Sequence, residues 1–244
     1  MIVWSYGGGT QSAAIAALVK MGELPMPDLI VMADTGREVS ETWEYLNNII
    51  RPAGFNVHIV TQEYARHGIT SRSGRILIPA YTRRSGKVGK LPTFCSNEWK
   101  QRPIRRWLRE QGIDDCDVWL GISMDEVERM KPSGLKWYRH VYPLIELCPT
   151  YRRECYEIVA KMGWPPPPKS RCWMCPNMSP QNWRDLKVRY PEDFEKAVAF
   201  EKEIREIDND MYLHPAAIPL PQAVEQSERQ AYLFDGCDSG YCFV

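Results

Sequence analysis

The sequence predicts an α/β protein. A doubly wound, mostly parallel sheet is expected over residues 1–144, and a helical, cysteine-bearing C-terminal appendage over 145–244. Three observations carry this reading. The chain opens on an apolar run, Ile2-Val3-Trp4, that passes through three glycines into the alanine-rich stretch Ala13 to Met21, the pattern of a strand turning sharply into a helix. Wholly apolar runs recur at Leu29 to Ala33 and Val118 to Ile122, as expected of strands buried on both faces of a parallel sheet. Past Tyr142-Pro143-Leu144 the strand-helix alternation stops and helical patterns follow.

With 244 residues the chain has room for one large domain, or one domain and a smaller appendage. An apolar content of 44% and a charged content of 25% are those of a globular protein. No run of about 18 apolar residues and no basic-then-apolar leader occurs, so no membrane partner is expected and the cytoplasm is the expected location. A formal net charge of zero argues against coating nucleic acid by bulk electrostatics. The charge is nevertheless uneven: from Arg66 to Arg109 there are twelve Lys or Arg residues, and Glu98 is the only acid.

The first loop runs from Ser5 through Gly7, Gly8, Gly9, Thr10 and Gln11 to Ser12. Glycines let the backbone approach an anion, while Ser12 and the N–H groups at the head of the helix point donors at it. Neither the Walker pattern nor the dinucleotide fingerprint fits these residues. A glycine-rich turn that binds nothing is the alternative left open.

The strand at Leu29 to Ala33 ends in Asp34-Thr35-Gly36, with Glu38 and Thr42-Trp43 leading a helix towards Ile50. Ligands of open α/β sheets bind beyond the carboxyl ends of the strands, so Asp34 and Gly36 are expected on the rim that carries the glycine loop. Val57 to Val60 reads as a third strand. From Tyr64 to Phe94 there is no sustained period, only turn residues such as Ser85-Gly86, and the stretch is expected to be a basic loop that covers an anionic substrate. Cys95 to Ile104 leads into a helix whose first turn holds Pro103. The strand at Val118 to Ile122 runs through Gly121 and Ser123 into Asp125, Glu126 and Arg129. One of those acids is a candidate for Mg2+, or the two simply cap a helix. Beyond, helices are expected from Thr150 to Met162, near Trp183, and from Phe194 to Ile207, with Pro165 to Pro168 as a stiff connector.

Eight cysteines without a leader read as metal ligands or reactive thiols. Cys172-Trp173-Met174-Cys175 is a knuckle that brings two thiolates to one metal, or alternatively a redox pair. Cys116 and Cys148 are expected to be incidental.

Taken together, Gly7 to Ser12 resembles the Ser-Gly-Gly-x-Asp-Ser loop of the PP-loop ATP pyrophosphatases, in particular their phosphoadenosine phosphosulfate reductase-like branch. Gly7 stands where that motif has serine and Gln11 where it often has aspartate. Asp34-Thr35-Gly36, the Cys95 to Ile104 stretch and Gly121-Ile122-Ser123 with Asp125, Glu126 and Arg129 are similar to further motifs of the family. The resemblance implies a PP-loop, HUP-like fold that binds ATP with Mg2+. Ser5, Gly7, Gly8, Gly9, Thr10, Gln11, Ser12, Asp34, Gly36, Gly121 and Ser123 would contact the nucleotide, and Lys100, Asp125 and Arg129 would act on its phosphates. Cys95 and Cys155 match family positions and would complete a four-cysteine site with Cys172 and Cys175. A 4Fe-4S cluster is expected there by the resemblance, with Zn2+ as the alternative that spacing does not separate.

The activity so implied is ATP-dependent adenylation that releases pyrophosphate and enables sulfur transfer to a nucleotide or nucleic-acid acceptor. The Arg66 to Arg109 segment would meet the acceptor, and a sulfur donor protein would be a further partner. Two alternatives stand beside it: reduction of a (phospho)adenylyl sulfate by a tail thiol, Cys237 or Cys242, and nucleotide or nucleic-acid binding without turnover.

Overall fold

A computed structural model of the chain describes residues 1–61, 63 and 68–235, with side chains described as far as Arg229. In chain order its elements are β1 (Ile2–Ser5), α1 (Thr10–Lys20), β2 (Leu29–Ala33), α2 (Ser40–Tyr45), β3 (Val57–Val60), β4 (Tyr81–Arg84), β5 (Lys87–Lys90), α3 (Arg102–Glu110), β6 (Cys116–Leu120), β7 (Tyr138–Val141), α4 (Arg152–Lys161), α5 (Pro180–Arg189), α6 (Pro191–Ile207), β8 (Met211–Tyr212) and α7 (Leu220–Asp235). They divide into two compact units. One comprises Met1–Gly68 and Cys95–Arg171, the other Ile69–Phe94 and the chain from Cys172 onward.

The first unit is built on a five-stranded sheet in the order β3-β2-β1-β6-β7, with every neighbouring pair parallel. Alternation along the strands splits its buried residues between two faces. Trp4, Ile30, Met32 and Trp119 pack with Ala13, Ala14, Ile15 and Leu18 of α1 and with Cys155 and Val159 of α4. Val3, Val31, Ala33, Cys116 and Val118 pack on the other face with Ile104, Trp107 and Leu108 of α3. Helices on both faces are why Leu29 to Ala33 can be apolar throughout. Alanines at 13, 14, 16 and 17, all fully buried, let α1 lie close to the sheet while α4 packs behind it.

In the second unit a three-stranded antiparallel sheet, β5-β4-β8, accompanies α5, α6 and α7. Ser85 and Gly86 both take positive φ, 49° and 74°, the geometry of a two-residue hairpin turn between β4 and β5. Trp183, Leu186, Phe200, Ile204, Leu213 and Leu220 are buried. Glu201 is buried among them and accepts from the backbone N–H of Leu213 at 2.8 Å and of Leu220 at 2.6 Å, so it ties α6 to both ends of the stretch between β8 and α7. Burial raises its carboxyl above the usual range although both N–H groups oppose the shift.

Several elements depart from the sequence expectation. The stretch expected to be a basic loop without regular structure holds the β4–β5 hairpin, and its lack of period reflects strands of only four residues, one of them exposed at every position. β7 was not expected, because it is an edge strand: Arg139 points outward to pair with Asp115 and with Asp117 of β6, at 2.6 Å to the latter. The expected 144/145 boundary is not where the compact units part. α4 stays with the sheet, because Cys155 and Val159 complete the apolar layer over α1, and the division falls after Arg171. α7 was not foreseen either. Arg66, at the head of the basic segment, and the tail thiols Cys237 and Cys242 lie outside the described residues. Among the described residues, no helix is long and apolar enough to cross a membrane.

Candidate nucleotide site at the switch point of the sheet

The chain leaves β1 for β2 on one side and later returns to pair β6 on the other, so the strand order reverses between β1 and β6. At such a switch point the connections lead away in opposite directions and open a crevice beyond the carboxyl ends of the strands. The glycine loop follows β1, and Gly121 follows β6.

Each glycine there has a steric reason. Gly8 has φ +73°, and a Cβ on it would stand 2.4 Å from Cγ2 of Thr42 in α2. At Gly9 a Cβ would stand 3.0 Å from Cβ and 3.1 Å from the backbone N of Ser170. For Gly121 it would lie 3.3 Å from Cβ of Gln11 and 3.5 Å from the backbone N of Ser12, so the β6 turn sits directly against the first turn of α1. Gly9 takes the N-cap position of α1 with no side-chain cap, which leaves the first-turn N–H groups to the loop and to any ligand.

The loop hydroxyls hold the loop itself. Ser12 Oγ accepts the N–H of Gly7 at 2.9 Å. Thr10 Oγ1 reaches the hydroxyl of Tyr156 at 3.2 Å and the carbonyl of Pro168 at 3.4 Å. The Pro165 to Pro168 connector therefore runs alongside the loop rather than away from it. Tyr45 donates to the carbonyl of Pro165 at 3.1 Å, and the N–H of Val39 donates to the carbonyl of Arg171 at 3.1 Å. Ser5 ends β1, paired with Val31 and Leu120.

Beyond β2, Asp34 Oδ1 accepts the N–H of Gly36 at 2.6 Å, and Gly36 takes φ 66°. Asp34 thus shapes its own turn. Lys100, in the helical turn Asn97–Gln101 before α3, places Nζ 2.6 Å from Glu38 Oε1, and the Glu38 side chain is fully covered. Arg37 stacks over the Trp99 ring at 4.6 Å. The β2 turn and the start of α3 are consequently clasped together.

Gln11 reaches across the switch point. Its amide donates to Glu126 Oε2 at 2.8 Å and to Ser123 Oγ at 3.3 Å. Glu126 also receives Arg129, at 2.5 Å, and Arg152, at 2.9 Å. Ser123 donates to Asp125 Oδ2 at 3.3 Å, and the same oxygen accepts the N–H of Arg152 at the start of α4. That N–H above all holds the Asp125 carboxyl below its usual range. The structure thus brings Gly7, Gly8, Gly9, Gln11, Ser12, Gly121, Ser123, Asp125 and Arg129 to one crevice. Glu126, which the sequence offers beside Asp125 as a carboxylate for Mg2+, belongs to it as well, together with Arg152 and Ser170, whose place there depends on contacts distant in the chain.

Of the proposed metal ligands, Cys95 and Cys155 belong to the first unit and Cys172 and Cys175 to the second. The N–H of Cys175 donates to the carbonyl of Cys172 at 3.1 Å, the tight turn a two-thiolate knuckle requires. Cys155 is fully buried, and desolvation pushes its thiol up to about 12. Burial likewise raises the thiols of Cys116 and Cys148. Among the described residues no three His, Cys, Asp or Glu side chains form a metal-binding group.

Fold and site define a doubly wound α/β protein with a glycine-rich strand-to-helix turn at its switch point. No protein-family model and no curated protein matches the chain. It is similar to the solved phosphoadenylyl-sulfate (PAPS) reductase from Candida auris, a phosphate complex, at 12% identity over 68% of this chain and 74% of that one, with a TM-score of 0.45. It is also similar to the U34-tRNA thiolase NcsA from Methanococcus maripaludis with its 4Fe-4S cluster, at 14% identity over 95% of this chain and 71% of that one, with a TM-score of 0.45.

Proposed function

We propose that the chain is an ATP-dependent adenylating enzyme that releases pyrophosphate and enables sulfur transfer to a nucleotide or nucleic-acid acceptor. One observation carries the reading: the uncapped start of α1, with Gly8, Gly9 and Gly121 packed around it, opens on the reversal point of the sheet. Backbone N–H groups there suit an anion and the crevice beside them suits a nucleoside. An acceptor oxygen attacks the α-phosphorus, the bond to the bridging oxygen of the β-phosphate breaks, and pyrophosphate leaves with that electron pair. A sulfur nucleophile then displaces AMP. The N–H groups of α1, with Lys100 and Arg129, would stabilise the charge that develops on the phosphates. Asp34 and Gly36 are proposed to border the adenosine.

Mg2+ would supply further charge neutralisation, with Asp125 as its proposed carboxylate, since Gln11 offers no charge. Cys95, Cys155, Cys172 and Cys175 are the proposed ligands of a 4Fe-4S cluster, or of Zn2+, and the Cys172–Cys175 turn is the feature that supports a metal. The basic residues proposed to meet the acceptor include Arg83, Arg84, Lys87 and Lys90 of the β4–β5 hairpin.

Pyrophosphate release from ATP, measured with candidate nucleic acids and a sulfur donor, tests the reading. Release that depends on both supports it; hydrolysis to ADP alone sinks it. Iron, sulfide and zinc analysis after anaerobic purification tests the metal separately.

A further inference from the structure

Glu126 receives three donors from three parts of the first unit: the Gln11 amide from the head of α1, Arg129 from the turn after β6, and Arg152 from the first position of α4. Its own side chain is 16% exposed, whereas those of Arg129 and Arg152 are 60% and 44% exposed. A partly buried carboxylate that accepts from two guanidinium groups and from the amide of Gln11 in the glycine loop itself has the donor arrangement of a phosphate site. Glu126 also departs from helical backbone, at φ −122° and ψ 22°, inside an otherwise tight helical turn. None of Met124–Arg129 is buried, so the cluster is open to a ligand from solvent.

We propose that Glu126 is an internal anion which holds the donors for the distal phosphates until a polyphosphate displaces it. Gln11, Arg129 and Arg152 are then the residues that take over the β- and γ-phosphates of a nucleoside triphosphate, or inorganic pyrophosphate itself. This rests on the nucleotide reading only for the ATP arm; the pyrophosphate arm stands on the donor cluster alone. It also gives Gln11 a task suited to an amide. A carboxylate at position 11 would repel Glu126, whereas the amide joins the loop to it and can turn its N–H groups to phosphate.

The energetic consequence has a sign. An occupied site binds ligand with an affinity reduced by the fraction of molecules in which it is open, so removal of the internal anion tightens binding. Exposed ion pairs are individually weak, which sets the gain at about fivefold.

The experiment is calorimetry of the full chain with inorganic pyrophosphate, ATP and AMP, on the wild type and on Glu126→Gln, Arg152→Gln, Gln11→Ala and Glu128→Gln. Expected are pyrophosphate and ATP about fivefold tighter in Glu126→Gln and weaker in Arg152→Gln and Gln11→Ala. AMP should change less than twofold throughout, since it has no distal phosphates. Glu128, exposed two residues along, controls for mere loss of negative charge, and its variant should match the wild type. Unchanged or weaker pyrophosphate binding in Glu126→Gln overturns the proposal, as does an equal gain in Glu128→Gln. Should Glu126→Gln not fold, undiminished pyrophosphate binding in both Arg152→Gln and Gln11→Ala overturns it equally. If pyrophosphate follows the expected order but ATP and AMP do not bind, the anion site stands and the nucleotide reading falls. If no variant binds pyrophosphate, the proposal falls whatever ATP does.

Discussion

Gly8 lies so close to Thr42 that a Cβ on the glycine would stand 2.4 Å from the threonine Cγ2, with Cε of Met32 at 3.6 Å on the same side. Thr42 is fully buried and cannot give way. The loop after β1 is therefore moulded against α2, and its path is set by the absence of a side chain.

Gly8→Ala should accordingly cost about 2–5 kcal/mol, the sum of left-handed backbone strain and overpacking. Gly22→Ala is the comparison: φ is +78° there but nothing lies within 4 Å, so only the strain of about 1–2 kcal/mol should appear. Urea unfolding of the two variants measures the difference. Equal losses would mean that the contact with Thr42 is immaterial.

Lys100 and Glu38 give a second expectation. Removing one partner of a covered pair costs more than removing both. Because the lysine end is 36% exposed, Lys100→Met should cost about 1–3 kcal/mol, discounted from the fully buried case for solvent screening. Lys100→Met with Glu38→Gln should be more stable than Lys100→Met alone. A double-mutant cycle with no coupling would show that the pair is incidental to the clasp between the β2 turn and α3.

A pH dependence follows from His214 in the second unit. Its Nδ1 accepts the N–H of Ala216 at 3.1 Å, Nε2 is buried with no hydrogen-bond partner among the described residues, and burial lowers its pKa. A buried neutral imidazole disfavours the proton, so the unfolded chain takes it up first. The contribution is fully present above the ordinary histidine value near 6.5 and is lost as pH falls from there to the depressed folded value. His214→Asn keeps an acceptor for the same N–H without a titrating group. Its melting temperature, compared with that of the wild type between pH 7.5 and 5.5, should fall less. Parallel curves would assign the acid loss to other groups.

Much of the first unit was legible from residue order. Leu29 to Ala33 reads as a strand covered on both sides, and the three glycines before Ala13 mark a turn into a helix, because these patterns are local consequences of sterics and burial. Other elements were hidden for equally physical reasons. The edge strand β7 buries only Tyr138 of its four residues, with Arg139 exposed and His140 and Val141 partly exposed, so no period shows. In the β4–β5 hairpin a strand exposed along its whole length carries no hydrophobic signature at all.

The sequence by itself determined the α/β class, since runs of neighbours in the chain carry it, and it placed the glycine-rich turn after β1 and the Cys172 to Cys175 turn for the same reason. Only the tertiary structure decided what faces that loop. Gly121 against Ser12, Ser170 against Gly9, and Glu126 against Gln11 are each separated by more than a hundred residues; the first and third meet because β6 lies beside β1, the second because the connector after α4 passes the loop. Such meetings are products of sheet topology, which no local period encodes.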